Sequence, residues 1–408
     1  MFWRYWTAMT VSNLGTSVTA VALPLVAVST LNASAFEISL ITAASYLAWV
    51  LIGLPAGVIV LRLPLRATQV VMDVVRAVAI GSIPLAWWFD RLTIAHLVVA
   101  ALLISLANVV FDVGNSTFLP SIVSREELTA RNSLVSGTHS TTQLGGPGLG
   151  GLLVQLLGAV PTLLLDAVSF LVSAVLLRGL PRGEQPAAGN RPRMAEQIRE
   201  GWRFVVRHPV MRPCLFTATA VNFASGALLA LIPVFLVRDL LAGPALVGVL
   251  IAADGAGSLL GAAVATRMIT RLGSARACRV ATAGGGVCAL FMPVGTGAPG
   301  MVVFALANIG FGAGVAVFSI AARTHRQVAS PPELLSRVMA TVRFVSWGAI
   351  PFGALTAGAL GTAFGTRTAL WVCCVLVLAA PALLQFSAVR RLRDLTDEPA
   401  AAPVDQPA

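Results

Sequence analysis

The sequence predicts an all-α polytopic membrane protein: twelve transmembrane helices arranged as two pseudo-symmetric six-helix bundles. Composition is the first observation. Of 408 residues, 57% are hydrophobic and 11% charged, and the mean hydropathy is +0.85, outside the range of soluble domains. Length of the apolar runs is the second. About 20 apolar residues span a bilayer core, and twelve such runs lie near 7–31, 38–60, 67–88, 95–117, 134–157, 162–180, 214–237, 246–269, 277–296, 300–322, 337–361 and 367–388. Internal repetition is the third, and is taken up below.

Charge distribution sets the orientation. All 28 basic side chains are arginine. Without lysine there is no Gly-Lys phosphate loop and no Schiff-base amine, so ATP-driven pumping by this chain and pyridoxal chemistry are unsupported. With a cytoplasmic N-terminus, the outward loops hold Arg91, Arg238 and Arg367, and Arg76 and Arg343 lie within spans near their inner ends. The remaining arginines fall in inward loops or tails, the positive-inside pattern. The net charge of +11 is therefore read as topology and not as a nucleic-acid surface, with both termini on the cytoplasmic side of the cell membrane. No nucleic-acid partner, cofactor or metal is expected. Cys214, Cys278, Cys288, Cys373 and Cys374 all fall within expected spans and show no ligand or disulfide spacing.

The elements follow in order. "MFWRYWTAMT" leads into an apolar run too long for a signal-peptide core, so the first span is read as uncleaved, with an aromatic anchor. It carries Asn13, Thr16 and Pro24; the second carries Tyr46, Trp49, Gly53 and Gly57. Asp73 and Arg76 stand one turn apart in the third, where a local pair and an inner-gate pair are both open readings. The fourth holds Asn108 and Asp112. In the fifth, His139 and Gln143 stand one turn apart ahead of "QLGGPGLGG" (143–151). Glycine costs a helix interior about 1 kcal/mol and proline about 3, so this stretch needs a compensating contact. Glycines let helices in lipid meet backbone to backbone, and Gly257 and Gly261 of the eighth span are the expected partner face. The match to G-x-G-x-x-G carries no weight, because no strand precedes it.

Residues 181–212 form the longest polar interval. It divides an N-terminal bundle, 1–180, from a C-terminal bundle, 213–388, with a disordered tail expected at 389–408. Within it, "AEQIREGWRFVVR" places Ile198, Trp202, Val205 and Val206 on one helical face, a pattern for a helix on the membrane surface or a plain linker helix.

Landmarks recur across this divide. "LANVVFDVG" (106–114) matches "LANIGFGAG" (306–314); Asn13 and Pro24 match Asn222 and Pro233; Gly53 and Gly57 match Gly257 and Gly261; Pro147 matches Pro351; and Glu127-Leu-Thr-Ala-Arg131 matches Glu333-Leu-Leu-Ser-Arg337. Their common order points to duplication. Two parallel six-helix repeats imply a transporter with its site between them near the midplane.

Among ionisable groups, which are costly in hydrocarbon and often functional, Asp254 lies nearest the midplane of its span, counted at about 1.5 Å per residue. Three readings stand for it: proton coupling, substrate contact and a structural hydrogen bond. Asp112 and His139 are further coupling candidates, with a satisfied His139–Gln143 pair as the plain alternative. Asn13, Thr16, Tyr46, Trp49, Asn108, Asn222, Asn308, Phe344 and Trp347 are candidates to line a cavity, and each is equally open to helix packing.

The chain resembles the major facilitator superfamily, in particular its enterobactin-exporter-like and macrolide-efflux-like branch. The resemblance rests on "VSNLGTSVTAVALPL", "GLPAGVIVLRLPLR", "FDVGNSTFLPSIVSREELTARN", "GGPGLGGLL", "LLLDAVSFLVSA" and "IREGWRFVVRHPVMR". It implies the major facilitator fold and a monomer that exports a drug, siderophore or secondary metabolite, coupled to protons. It also makes Gly146, Pro147, Gly150 and Gly151 the exporter-associated Gly-Pro-x-x-Gly-Gly element. By the same resemblance Gly57, Arg62 and Arg66 belong to an inner-gate motif, although Leu61 stands where that motif carries aspartate. The fourth span also lacks the Arg-x-x-x-Gly element of proton-coupled drug antiporters. The alternatives are an importer of the same fold and, more distantly, a non-transporting sensor or scaffold. An intramembrane enzyme is not supported, since neither H-E-x-x-H nor G-x-S-x-G occurs and the histidines stand apart at 96, 139, 208 and 325.

Overall fold

The computed structural model describes residues 1–53, 55, 63–123, 127–180 and 194–397, and among them there are helices, short connections and no strand. In lipid every backbone N–H and C=O must be satisfied internally, and a helix does this within one segment. The helices are α1 (Phe2–Leu25), α2 (Ala35–Ile52), α3 (Leu65–Trp88), α4 (Ile94–Ile122), α5 (Leu128–Leu157), α6 (Ala159–Arg178), α7 (Met194–Arg207), α8 (Met211–Val234), α9 (Pro244–Leu272), α10 (Ser274–Ala289), α11 (Gly297–Ala329), α12 (Pro332–Phe364), α13 (Thr366–Val377) and α14 (Ala379–Gln385). Among the described residues ten helical stretches are long and apolar enough to cross a membrane. α5 and α10 occupy the places of the fifth and ninth expected spans but fall outside that set. α10 has only 16 residues, and α5 carries the polar run Ser136–Gln143.

The repeat is visible in the backbone. α1 and α8 each contain a proline near the end, Pro24 and Pro233, and each runs on into a single π turn, Val26–Thr30 and Phe235–Asp239. Proline removes a backbone donor and disturbs the preceding turn, and a π turn is one way a helix absorbs such a fault. After each π turn one residue, Asn32 or Leu241, takes a positive φ of 51° or 54°. The α5–α6 and α12–α13 connections likewise turn on Gly158 and Gly365, at φ 90° and 83°.

α1 packs on α5 and α6, α3 on α4 and α6, and α2 on α4; later in the chain α8 packs on α12, and α11 on α9 and α10. The two sets meet mainly where α2 crosses α12 and α8 and where α5 crosses α9. At the end of the molecule formed by the α1–α2 and α8–α9 connections, one apolar core runs through both sets. It takes Val21, Leu25, Ile38 and Leu163 from the first and Leu231, Phe235, Phe304 and Ala357 from the second. Arg238 reinforces the closure by donating to the Ala33 carbonyl at 2.7 Å, and the Ala245 N–H donates to Gln155 Oε1 at 3.2 Å. At the opposite end the cores separate. Phe2, Tyr5, Phe118 and Leu177 form one; Cys214, Cys278, Phe318 and Leu384 form another.

The glycine-rich stretch of α5 lies between two neighbours. Gly146 and Gly150 press on Ser17 and Val18 of α1, while Gly151 faces α9. α9 is the partner helix the sequence suggests, but Gly248 makes the contact. A Cβ on Gly151 would stand 2.8 Å from the Gly248 Cα. Gly257 and Gly261 turn instead to Ile309 and Ala313 of α11, because they lie on a different face of α9.

α7 docks on α12. Val205 joins Met211, Leu215, Val338 and Val342 in a small core, Glu200 pairs with Arg337, and Trp202 remains exposed. His208 Nδ1 accepts from the backbone N–H of Val210 and Met211 at 3.3 and 3.2 Å, and burial pushes its imidazole below the usual histidine range. The expectation of disorder from residue 389 is corrected for 389–397. A 3-10 turn covers Ala388–Arg391, Leu395 is fully buried, and Asp394 accepts from the Ser274 N–H at 2.7 Å. A carboxylate at a helix N-terminus satisfies an unpaired donor and meets the positive end of the dipole, and this contact holds the segment.

The close crossing gives a testable expectation. Gly151→Leu would overpack the α5–α9 contact and lower stability by about 1–3 kcal/mol, read as a lower melting temperature in detergent. Gly148→Leu, where an added Cβ meets nothing within 4 Å, would not lower it, since leucine also has the better helix propensity.

Candidate functional site

Where the cores separate, a cavity of about 770 Å³ opens between the two sets. α2 and α4 contribute Trp49 and Val113; α8 contributes Leu215 and Asn222; α11 contributes Phe318, Arg323 and Arg326; and α12 contributes Arg343, Phe344 and Trp347. It extends to the first turn of α8, at Met211, and the last turns of α11, at Gln327. The cavity therefore reaches the end that carries α7 and is shut off from the other.

Trp49 and Trp347 meet across the two sets with ring centroids 5.1 Å apart. The Arg343 guanidinium lies over both rings, at 4.0 and 4.4 Å, and its side chain is exposed. Cation–π contact of this kind is worth about 0.5–2 kcal/mol depending on desolvation. Asp112, also exposed, lies within electrostatic range of Arg343, Arg76 and His139. It thus has ionisable neighbours on α3, α5 and α12.

Of the sequence candidates, Trp49, Asn222, Phe344 and Trp347 line this cavity. Asn13, Thr16 and Tyr46 are half-buried elsewhere, and Thr16 donates to the Ser12 carbonyl at 2.9 Å. Asn308 takes the packing alternative: it is buried and donates to the Leu250 carbonyl at 3.1 Å, so its amide ties α11 to α9. Asn108 is occupied too, accepting from Arg76 at 3.0 Å.

Of the two readings open for Asp73 and Arg76, the geometry shows the local pair. Both are buried, and they pair with each other. The Arg76 guanidinium lies 4.0 Å over the Phe111 ring and 4.5 Å over that of Phe170, inside the α3–α4–α6 packing. Asp166 is buried nearby, accepting from Thr19 at 2.5 Å and Ser169 at 2.9 Å. Arg66 donates to the Leu180 carbonyl at 2.8 Å, while Gly57, Leu61 and Arg62 lie outside the described residues. Asp254 is exposed on α9 with its carboxylate beside Gly312 of α11, and His139 and Gln143 are exposed on α5. Arg323, Arg326 and Arg343 were absent from the sequence candidates. In the sequence Arg323 and Arg326 read as inward-loop arginines, which the positive-inside rule accounts for, and Arg343 only as an arginine lying within a span.

A model of the family described as transmembrane secretion effector matches residues 1–408. The chain belongs to this family of major facilitator transporters. It is 30% identical to the MFS-type transporter y4rN of Sinorhizobium fredii over 71% of this chain and 72% of that one. It is 26% identical to the multidrug efflux pump Tap of Mycolicibacterium fortuitum over 91% of each. The nucleoside transporter NupG superposes with a TM-score of 0.79 at 11% identity, covering 95% of this chain and 99% of that one. A bacterial homologue of ferroportin in an inward-facing state gives 0.71 at 17%, covering 94% and 97%. At these identities the structural likeness establishes the fold. The chain is thus a multi-span integral membrane transporter of the major facilitator type.

Removing Arg76 alone would leave Asp73 buried without a counter-charge, a loss of about 3–5 kcal/mol. Arg76→Met is expected to abolish monodisperse protein in fluorescence-detected size exclusion, and Asp73→Leu/Arg76→Met together to restore it.

Proposed function

We propose that this transporter is a secondary exporter of a bulky, partly apolar small molecule, a drug, siderophore or secondary metabolite, working by alternating access. The carrying observation is the 770 Å³ cavity between the two helix sets, which reaches one end while a shared apolar core shuts the other. A cavity of this size suits a drug-sized ligand. With the arginine-rich end and both termini in the cytoplasm of a plasma-membrane protein, this is the inward-facing state. Residues 1–180 and 213–388 act as two rocking six-helix units joined by 181–212, and a single chain suffices for the cycle.

Export is supported by the names of the Tap relatives, multidrug efflux pumps, and by the Gly146-Pro147-x-x-Gly150-Gly151 element. That element sits at the crossing of the two units, where backbone contact keeps the outer end tight. For proton coupling Asp112 is favoured over Asp254. Asp112 has Arg343 from the other unit and His139 in electrostatic range, so rocking changes its counter-charges. Among the described residues no charged group is in electrostatic range of Asp254, which fits a substrate contact or a local structural role.

The test is transport into everted membrane vesicles from an efflux-deficient host, with a cationic dye, a macrolide and a catecholate siderophore as panel. Energised uptake of at least one member, collapsed by a protonophore and slowed about tenfold by Asp112→Asn, is the expected result. Movement out of the vesicles would make the protein an importer. Uptake indifferent to protonophore and to both Asp112→Asn and Asp254→Asn would remove proton coupling.

A further inference from the structure

The cavity is aromatic and basic at once. Its described lining includes Arg323, Arg326 and Arg343 and no aspartate or glutamate. Arg323 lies within electrostatic range of both Arg326 and Arg343, so three like charges are held together. Topology alone explains arginines at a helix end, but not this depth. Arg343 stands eleven residues into α12, about 16 Å from its inner end at 1.5 Å per residue. Its face contacts are two indoles, and among the described residues no acceptor bonds its guanidinium. Arg326 uses one N–H on the Ala322 carbonyl, at 3.1 Å. The acid in range of Arg343 is Asp112, one negative charge against three positive ones.

We propose that the cavity selects amphiphiles carrying a single anionic group, a carboxylate, sulfonate or phosphate. The anion docks on the Arg343 fork, and the apolar body lies along Phe344, Phe318 and Leu215. A guanidinium offers paired, parallel donors that match such anions, and stacking on Trp49 and Trp347 holds the fork in place before ligand arrives. Arg323 and Arg326, nearer the mouth, draw the anion inward. A cation of the same shape meets the same aromatic walls but a repulsive field. This assignment rests on the reading of the cavity as the substrate site, and not on direction or coupling.

The experiment measures binding to the full chain in phosphatidylcholine nanodiscs by equilibrium dialysis, with empty nanodiscs subtracted. Three probes share one skeleton: 2-naphthoate, 2-naphthylmethylammonium and neutral 2-naphthalenemethanol. Salt is kept at about 0.5 M to screen long-range surface attraction. Naphthoate is expected to bind at least tenfold tighter than the ammonium probe. Arg343→Gln should weaken naphthoate at least tenfold while leaving the neutral probe unchanged, and Arg343→Lys should recover part of the loss. If Arg343→Gln is not monodisperse, Arg323→Gln carries the same test with an expected fivefold loss.

Equal or tighter binding of the ammonium probe, loss of all three probes together in the variants, or no binding of any probe would overturn the assignment. Repeating the measurement in phosphatidylglycerol nanodiscs separates the sources of the anion. Displacement of naphthoate there identifies a lipid phosphate as occupant; retention identifies a free solute. Selective naphthoate binding without vesicle transport would sink the exporter reading and leave the anion site standing.

Discussion

The crossing of α5 and α9 depends on two missing Cβ atoms. Gly151 and Gly248 bring the two backbones so close that any side chain there would meet main-chain atoms. Lipid supplies no hydrophobic force between helices, so packing at such contacts drives their association. Here the contact joins the two sets of helices beside the core they share at one end. That shared core runs from Val21 and Ile38 through Phe235 and Ala357, whereas at the other end Cys214 and Phe318 belong to a core of their own. The cavity is a consequence of this one-sided closure.

Two clusters of charge show how burial decides a residue's part. Arg76 and Asp73 are sealed between α3, α4 and α6, with Asn108, Phe111 and Phe170 around the guanidinium. A buried pair so enclosed is tied into the packing of the first helix set. Arg343, which lines the cavity, and Asp112 are both exposed and come from opposite sets, and Asp112 has Arg343 and His139 in electrostatic range. These are the charges that motion of one set against the other would rearrange. Residue type is the same in both clusters; the surroundings differ.

Duplication is recorded in defects as much as in regular helix. Pro24 and Pro233 each precede a π turn, and Asn32 and Leu241 take the same left-handed backbone after it. Leucine has no intrinsic reason to adopt positive φ, so Leu241 holds that conformation because the fold repeats the turn. The repeat does not extend to charge. Asp112 of "FDVG" has Gly312 as its counterpart in "FGAG", and Gly312 is the residue that accommodates Asp254 of α9.

Composition and apolar run length determined the helical, membrane-spanning class, because bilayer thickness and backbone satisfaction leave few alternatives. Repeated landmarks determined the pairing of the first span with the seventh, and α5 could be read as the glycine seam. Trp49, Asn222, Phe344 and Trp347 were legible as cavity residues because polar and aromatic groups stand out in apolar spans. Only tertiary structure could decide that Asn108 and Asn308 are spent on internal bonds, that Gly248 meets Gly151, and that Arg323, Arg326 and Arg343 share one cavity. Each of these depends on the rotation of one helix against another. That rotation is set by side-chain packing between segments far apart in the chain, and a hydropathy pattern nearly uniform around most membrane-spanning helices does not encode it.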